Sequence, residues 1–574
     1  MNKKIEEYKR VVILQSQLQI KFYLNFDIQK NDLIIPIGPE AIHFVEYKNI
    51  PHIKLIELLN KEDYENFKII SIKKIDELVE NMNLLSAKYN LDLGTYFSFQ
   101  FNVIIGQIHY SYFLAKSIKD KFYNKQILLY YNNARNTIIY EFRPDRLNNL
   151  YNVFNNLNFN NSMNIISKGL EEPNINIGLR NKILSLFNHN LINMLRRVIN
   201  ITKIFGFKRK NGAKLLLIGG GYDWLRIAKN KNFNHNISIF KNKRSTMNTY
   251  LSSEIYILLN KSIKFDEICI FNINEFSKIV AKHFFYFKNN ICQDVKYIKK
   301  YTAIISSVFT FPFEIYLAHI ATKINKPVIV WQHGEKGQSN DPTIFSTELC
   351  YATNYFTYSI GVKEYYNSFI EKNFLKSVDV VGTLTKNVKW LNGNKILYAT
   401  GKWFYTAASV PILIDPDYRQ YNAQNKILSY LNNKPDVILK ANNTRGFNNI
   451  PFNYSNININ YKDKFTDLLS NSRIVILDTP ATTLVEACST RIPIFVLGGR
   501  NIYFDKFLNL VKKRVVWRED VNDLIFEINL FLENGIYNSD LYNDEYYNTY
   551  CTSLNTNVVD NINNALNNIL KNKK

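Results

Sequence analysis

The segment Lys214-Leu-Leu-Leu-Ile-Gly-Gly-Gly constrains this chain more than any other. A continuous apolar run ending in glycines is how a parallel strand enters a cleft loop. Such a strand is buried on both faces and so lacks the alternation of a half-exposed one. Similar runs recur. Leu33 to Ile37, Gln126 to Tyr131, Glu267 to Phe271, Ala303 to Ser307, Pro327 to Trp331, Tyr355 to Tyr358 and Val378 to Val381 read as short strands. Others stand at Ile396 to Ala399, Val437 to Lys440, Ile474 to Leu477, Pro493 to Leu497 and Val515 to Val516. Residues 75–125 read as mostly helical, and helices are predicted through Phe44 to Tyr47, Pro312 to Ile324 and Thr482 to Thr490. Ile53 to Leu58 reads as a strand closing a first βαβ unit. Strands alternating with helices indicate an α/β fold with parallel sheets.

The chain has 574 residues, too many for one ordinary core at about 150 residues per domain. The α/β rhythm restarts at roughly 211–385 and 396–555, with a polar, non-periodic stretch at 384–395 between them. The expected division is a Rossmann-like domain over 1–388, a second over 389–555, and a polar C-terminal helix over 556–574. An Asn-rich, helical insertion is expected at about 135–210. It ends in a predicted helix, Lys182 to Ile204, whose Leu184, Phe187, Leu191, Leu195, Val198 and Ile201 recur at threes and fours. Arg196, Arg197, Lys208, Arg209 and Lys210 cluster near its end. Two readings fit: a core-packing helix with a solvated basic end, or an amphipathic helix on an anionic membrane.

Composition narrows the partners. A chain 46% hydrophobic and 21% charged folds rather than stays disordered. Its net charge of +23 suits a polyanion, a phosphorylated ligand or an anionic membrane face. Part of that excess matches the abundance of Asn, Ile, Lys, Tyr and Phe that an AT-rich genome produces. No RNP, KH or zinc pattern accompanies the charge, so nucleic acid is not an expected partner. The five cysteines are scattered without a C-x-x-C, which disfavours zinc, redox and disulfide roles. No histidine spacing suits a metal, and no H-E-x-x-H, Walker A or G-x-S-x-G occurs. The charged N-terminus and the lack of about 18 consecutive apolar residues predict a cytoplasmic protein, with peripheral attachment to the inner face of the membrane left open.

The densest chemical signal is Ile474-Val-Ile-Leu-Asp-Thr-Pro-Ala-Thr-Thr-Leu-Val-Glu-Ala-Cys-Ser-Thr-Arg-Ile-Pro-Ile-Phe-Val-Leu. A buried strand ends at Asp478, a proline turn follows, and Thr482 and Thr483 open a helix. Free amides and hydroxyls at a helix start suit phosphate. Glu486, one turn in, could hold a ribose diol or simply complement the helix dipole. A second signal is Pro327-Val-Ile-Val-Trp-Gln-His-Gly-Glu-Lys-Gly. It places His333, Gly334, Glu335 and Lys336 beyond a strand end, where ligands sit in open α/β sheets and where histidine can serve as a general base. Gly219 and Gly220 form a third turn beyond a strand. Asp223 follows as a rival base or a helix-start acid. Lys440 and Arg445 could neutralise a diphosphate or simply be solvated, and Glu314 reads as a helix cap.

The 474–497 segment resembles the donor-nucleotide segment of GT-B glycosyltransferases, especially bacterial capsule and surface-carbohydrate transferases. The His333-Gly334 loop resembles the His-Gly loop of the same families, Val381-Gly-Thr their last N-domain strand, and Val437 to Lys440 a C-domain strand near the donor. The Asp-Thr-Pro-Ala-Thr-Thr turn also resembles teichoic-acid polyol-phosphate transferases, which share that architecture. The resemblance implies two Rossmann-like domains facing a cleft. It implies a donor site that includes Asp478, with Thr482 and Thr483 approaching the donor phosphates and Glu486 holding the ribose of a nucleotide sugar. The other domain would take a glycan or lipid-linked glycan acceptor, deprotonated by His333 or Glu335. No obligatory cofactor or metal is expected. Asp478 and Glu486 stand eight positions apart, as do two glutamates in many retaining GT-B enzymes. Aspartate in the first place and the missing glycines point instead to inversion. The alternatives are a CDP-polyol phosphotransferase and a catalytically silent scaffold of the same fold.

Overall fold

A computed structural model describes residues 7–132, 164–170, 212–240, 249–265, 268–269, 274–334, 337–339, 344–370, 374–384, 388–401, 416–441, 454–499, 502–551 and 557–571. Three parallel sheets organise them. The first contains β1 (Arg10–Leu14), β2 (Asp32–Pro36), β3 (Gln126–Asn132) and β4 (Asn164–Leu170), in the order β2-β1-β3-β4. The second contains β5 (Lys214–Leu217) and β6 (Asn236–Ile239). A separate two-residue antiparallel pair, β7 (Lys264–Phe265) and β8 (Ile268–Cys269), follows in the chain. The second sheet then continues with β9 (Ala303–Ser306), β10 (Val328–Trp331), β11 (Asn354–Thr357) and β12 (Ser377–Val380), in the order β12-β11-β10-β9-β5-β6. The third is β13 (Lys395–Ala399), β14 (Val437–Lys440), β15 (Ile457–Asn460), β16 (Ser472–Leu477), β17 (Ile494–Leu497) and β18 (Val516–Arg518), in the order β15-β14-β13-β16-β17-β18. Two six-stranded parallel sheets with helices on their faces are the Rossmann-like pair expected of a GT-B architecture.

The apolar runs explain the sheets. All four side chains of β10 are fully buried, and burying each large aliphatic or aromatic side chain contributes about 1.5–3 kcal/mol. The first sheet is likewise covered on both faces. Val11, Ile13, Leu33 and Ile35 pack with Tyr110 and Phe113, while Val12, Leu14 and Ile34 pack with Ile20, Tyr23 and Val45. The helix Leu93–Lys121 joins the two N-terminal sheets. Its Tyr96, Phe97 and Ile104 enter the core beneath the second sheet, and its Tyr110, Phe113 and Ile118 enter that of the first. The helix Val558–Lys571 returns to the second sheet, burying Val559, Ile562 and Leu566 against Leu215, Trp224 and Trp331. Contact also runs from the first sheet's helix Pro39–Tyr47 to the third sheet's helix Pro416–Leu431, where His43 Nδ1 lies 3.0 Å from the Tyr421 hydroxyl.

Several expectations change. Residues 1–388 carry two sheets, the four-stranded one standing apart from β5–β12. Ile53 to Leu58 is not a strand. His52 makes one bridge to Ile34, and Leu55–Leu58 then turns as a short helix whose Leu55 and Leu58 face the core. The stretch expected to be a helical insertion contains β4, because Ile165 and Ile166 offer a β-branched pair that β3 can take up in parallel register. The predicted helix Lys182 to Ile204 and its basic cluster lie outside the described residues. Of Glu267 to Phe271, only Ile268–Cys269 is described as strand, and it pairs locally with β7 instead of joining a main sheet.

Burial also sets a pH response. Packing holds His43, His235 and His283 below their ordinary value, drives His109 down to about 3, and drives His319 down to about 4 against the opposing pull of Asp92. The unfolded chain therefore binds protons near pH 6.5 that the folded chain refuses. Stability should be complete above that pH and fall below it, by about 1.4 kcal/mol per pH unit for each histidine still neutral. Urea midpoints should hold between pH 7.5 and about 6.5 and decline from there to pH 5. A flat profile would contradict neutral burial of these rings.

Candidate functional site

Five carboxyl ends of the second sheet and two of the third converge on one cleft of about 560 Å³. From the second sheet come Gly220, Gly221, Asp223 and Arg226 after β5, Ser307 after β9, His333 and Gly334 after β10, Tyr358 after β11, and Thr383 after β12. From the third come Lys464, Thr466 and Asp467 after β15, and Thr482 and Glu486 after β16. In the second sheet the strand order reverses between β5 and β9, and in the third between β13 and β16. Such switch points open the crevice that holds ligands in parallel α/β sheets.

Close backbone approach and hydrogen bonds shape the wall built by the second sheet. Gly219 adopts φ +72°, and a β-carbon there would lie 2.5 Å from the Val308 carbonyl oxygen, so only glycine fits. The Gly220 amide donates to the Val308 carbonyl at 3.0 Å, and its carbonyl accepts from the Ser307 amide at 2.7 Å. Glu314 accepts from the Thr310 and Phe311 amides at 2.8 and 3.0 Å, the capping role expected for it, while burial raises its carboxyl. The buried Gln332 braces the histidine loop. Its Nε2 donates to the Gly334 carbonyl at 3.0 Å, and its Oε1 accepts from the Tyr358 amide at 2.9 Å. His333 is exposed to the cleft. A β-carbon built on Gly334 would stand 3.9 Å from the Thr482 hydroxyl, so loops of the two facing sheets nearly touch here.

Charge is arranged across the gap. Arg226 donates to Asp223 at 3.1 Å and to the Leu384 carbonyl at 2.6 Å. Burial pushes the Glu486 carboxyl up to about 7, opposed by the field of Arg226. Glu486 on one sheet and Arg226 on the other are therefore electrostatic neighbours, and small changes around neutral pH alter the charge between the domains.

Of the residues expected from sequence, His333, Asp223, Gly220, Gly334, Thr482 and Glu486 line this cleft. Gly219 shapes the adjacent turn, and Thr483 follows Thr482 outside the lining. Asp478, expected among the donor-binding residues, does not line the cleft. It is buried, accepting from the Tyr398 hydroxyl at 2.8 Å, from Gln424 at 2.9 Å and from the Gly401 amide, so it ties β16 to the end of β13. Lys440 is half-buried at the end of β14, where burial lowers its ammonium, and it does not line the cleft. Glu335, Lys336 and Arg445 lie outside the described residues. Sequence reading passed over Arg226, although its spacing three residues after Asp223 on a helix was a usable signal. Gln332 and Ser307, each at a strand end, were legible in the same way. Lys464, Thr466 and Asp467 carried no pattern.

No protein family and no curated protein matches this chain. Among solved structures, a glycosyltransferase from Rickettsia africae shares 13% identity at a TM-score of 0.39, covering 63% of this chain and all of that one. The lipopolysaccharide outer core galactosyltransferase WaaB shares 13% at 0.36, over 62% of this chain and 99% of its own. MurG of Acinetobacter baumannii shares 11% at 0.35, over 62% and 99%. At these identities and scores none of them assigns an activity to this chain.

Proposed function

We propose that this protein is a glycosyltransferase that moves a sugar from a nucleotide-activated donor to a surface-polysaccharide acceptor of capsule or lipopolysaccharide type. The observation that carries this reading is the single cleft in which His333 of one parallel sheet faces Thr482 and Glu486 of another. Glu486 holds the ribose diol, and the Thr482 hydroxyl, with Arg226 and Lys464 nearby, meets the charge of the diphosphate. An unprotonated His333 ring nitrogen takes the proton of the acceptor hydroxyl. That oxygen forms a bond to the anomeric carbon as the bond from that carbon to the phosphate oxygen breaks. The nucleoside diphosphate leaves with the electron pair, and one displacement inverts the centre. The ion pair with Arg226 occupies Asp223, which makes His333 the better-placed base. Among the described residues no helix is long and apolar enough to cross a membrane. A chain of net charge +23 suits peripheral work on an anionic, lipid-linked acceptor at the cytoplasmic face.

A thermal-shift screen of CMP, UDP, GDP, dTDP and CDP, each at high excess, tests the donor site. A nucleotide at about 100 times its dissociation constant should add roughly 2.7 kcal/mol of stability. Affinity should rise as pH passes upward through 7, because the ionised Glu486 accepts the diol more strongly. Glu486→Gln should flatten that profile and weaken binding by about 10- to 100-fold. If no nucleotide binds, the reading fails. Turnover confined to CDP-polyols would make the protein a polyol phosphotransferase instead.

A further inference from the structure

We infer that Ser307 is an acceptor-binding residue, whose hydroxyl holds the sugar hydroxyl next to the one that reacts. The inference rests on the transferase reading above and adds to it the acceptor class: a pyranose with free neighbouring hydroxyls at the point of attachment. Ser307 is 4% exposed, and its Oγ has no hydrogen-bond partner among the described residues. Unsatisfied buried hydroxyls destabilise a protein and call for an explanation. The Ser307 amide donates to the Gly220 carbonyl and the Gly220 amide donates to the Val308 carbonyl, so backbone bonds hold this turn without the Ser307 side chain. Its neighbour Ser306 shows the contrast, with its Oγ donating to the Val308 carbonyl at 3.1 Å.

Position supplies the function. Ser307 follows β9, which lies between β5 and β10 in the sheet. It therefore stands between the glycine turn and the His333 loop, at the point where strand order reverses. The register pairs Ser306 with Val330, so Ser307 stands one residue beyond that pair and His333 three beyond it on the adjacent strand, about 4.8 Å away across the sheet; a bound sugar ring would bridge the gap. With one hydroxyl at His333, the next falls toward Ser307, and Asp223 offers a carboxylate that accepts from a sugar hydroxyl. Serine turns between three staggered χ1 wells without moving the backbone, so Oγ can enter the cleft when the acceptor arrives.

The test is Ser307→Ala, assayed with p-nitrophenyl gluco-, galacto- and mannopyranosides as acceptor probes and with the nucleotide sugar found by the screen above. The acceptor KM should rise roughly 5- to 30-fold, while kcat and the nucleotide dissociation constant stay unchanged. The melting temperature should hold or increase, because the substitution removes an unsatisfied hydroxyl. A serine with a merely structural role would lower it. An unchanged KM, a matching loss of nucleotide affinity, or a lower melting temperature would overturn the assignment. So would a wild-type protein that binds nucleotide yet uses none of the pyranosides. Failure to bind any nucleotide would instead overturn the transferase reading on which the assignment rests.

Discussion

His333→Ala should lower kcat by about 10²- to 10⁴-fold, the loss expected when a positioned general base is removed. The nucleotide dissociation constant should not change. His333 stands on the wall built by the second sheet, whereas Thr482 and Glu486 stand on the wall built by the third. The ring is exposed, and Gln332 holds the loop through bonds to the Gly334 carbonyl and the Tyr358 amide that alanine at 333 leaves intact. The melting temperature should therefore match that of the unmodified protein. Steady-state rates with donor and acceptor, beside nucleotide titration of the same preparation, check both halves. Wild-type turnover in the variant would remove His333 as the base and return Asp223 to that role.

Gly94→Ala should destabilise the protein by about 3 kcal/mol or more, at the upper end of what overpacking costs. In an isolated helix the same change would stabilise by about 1 kcal/mol, so the expected sign is the reverse of propensity. Gly94 opens the helix Leu93–Lys121, and a β-carbon on it would lie 1.9 Å from the Val79 carbonyl oxygen of the helix Lys61–Ala87. Tyr96 and Phe97 beside it are fully buried, so the backbones cannot separate without opening the core beneath the second sheet. Chemical denaturation would measure the loss. A neutral or stabilised variant would show that the two helices do not approach so closely.

The strands of the two six-stranded sheets were largely readable because each is a short, uninterrupted apolar run beside a polar or glycine break, a property of a few neighbouring residues. β1 was not, although Arg10-Val-Val-Ile-Leu is equally apolar. It opens on Arg10 beside the charged N-terminus, so its apolar run is only Val11 to Leu14 and no glycine or proline marks its end. β4 was hidden by the asparagine around it, and its pairing with β3 is a long-range event. The site divides in the same way. The His333 loop, the Gly219 turn and the Thr482 helix were visible, since each is a strand end with its own turn chemistry. The role of Asp478 was not. Whether a strand-end carboxylate meets ligand or protein depends on what lies opposite, and here Tyr398, Gln424 and the Gly401 amide surround it.

The sequence alone determined that this chain is an α/β protein with parallel sheets, and where its cleft loops begin. Hydrophobic periodicity and glycine breaks act over a few residues and survive in any one-dimensional reading. Only the tertiary structure decided that the four-stranded sheet stands apart, that the last helix returns to the second sheet, and that Arg226 faces Glu486 across the cleft. Those facts depend on which buried surfaces meet, and burial is settled between segments hundreds of residues apart. The raised Glu486 carboxyl, and a Ser307 hydroxyl without a partner among the described residues, exist only once that packing is complete.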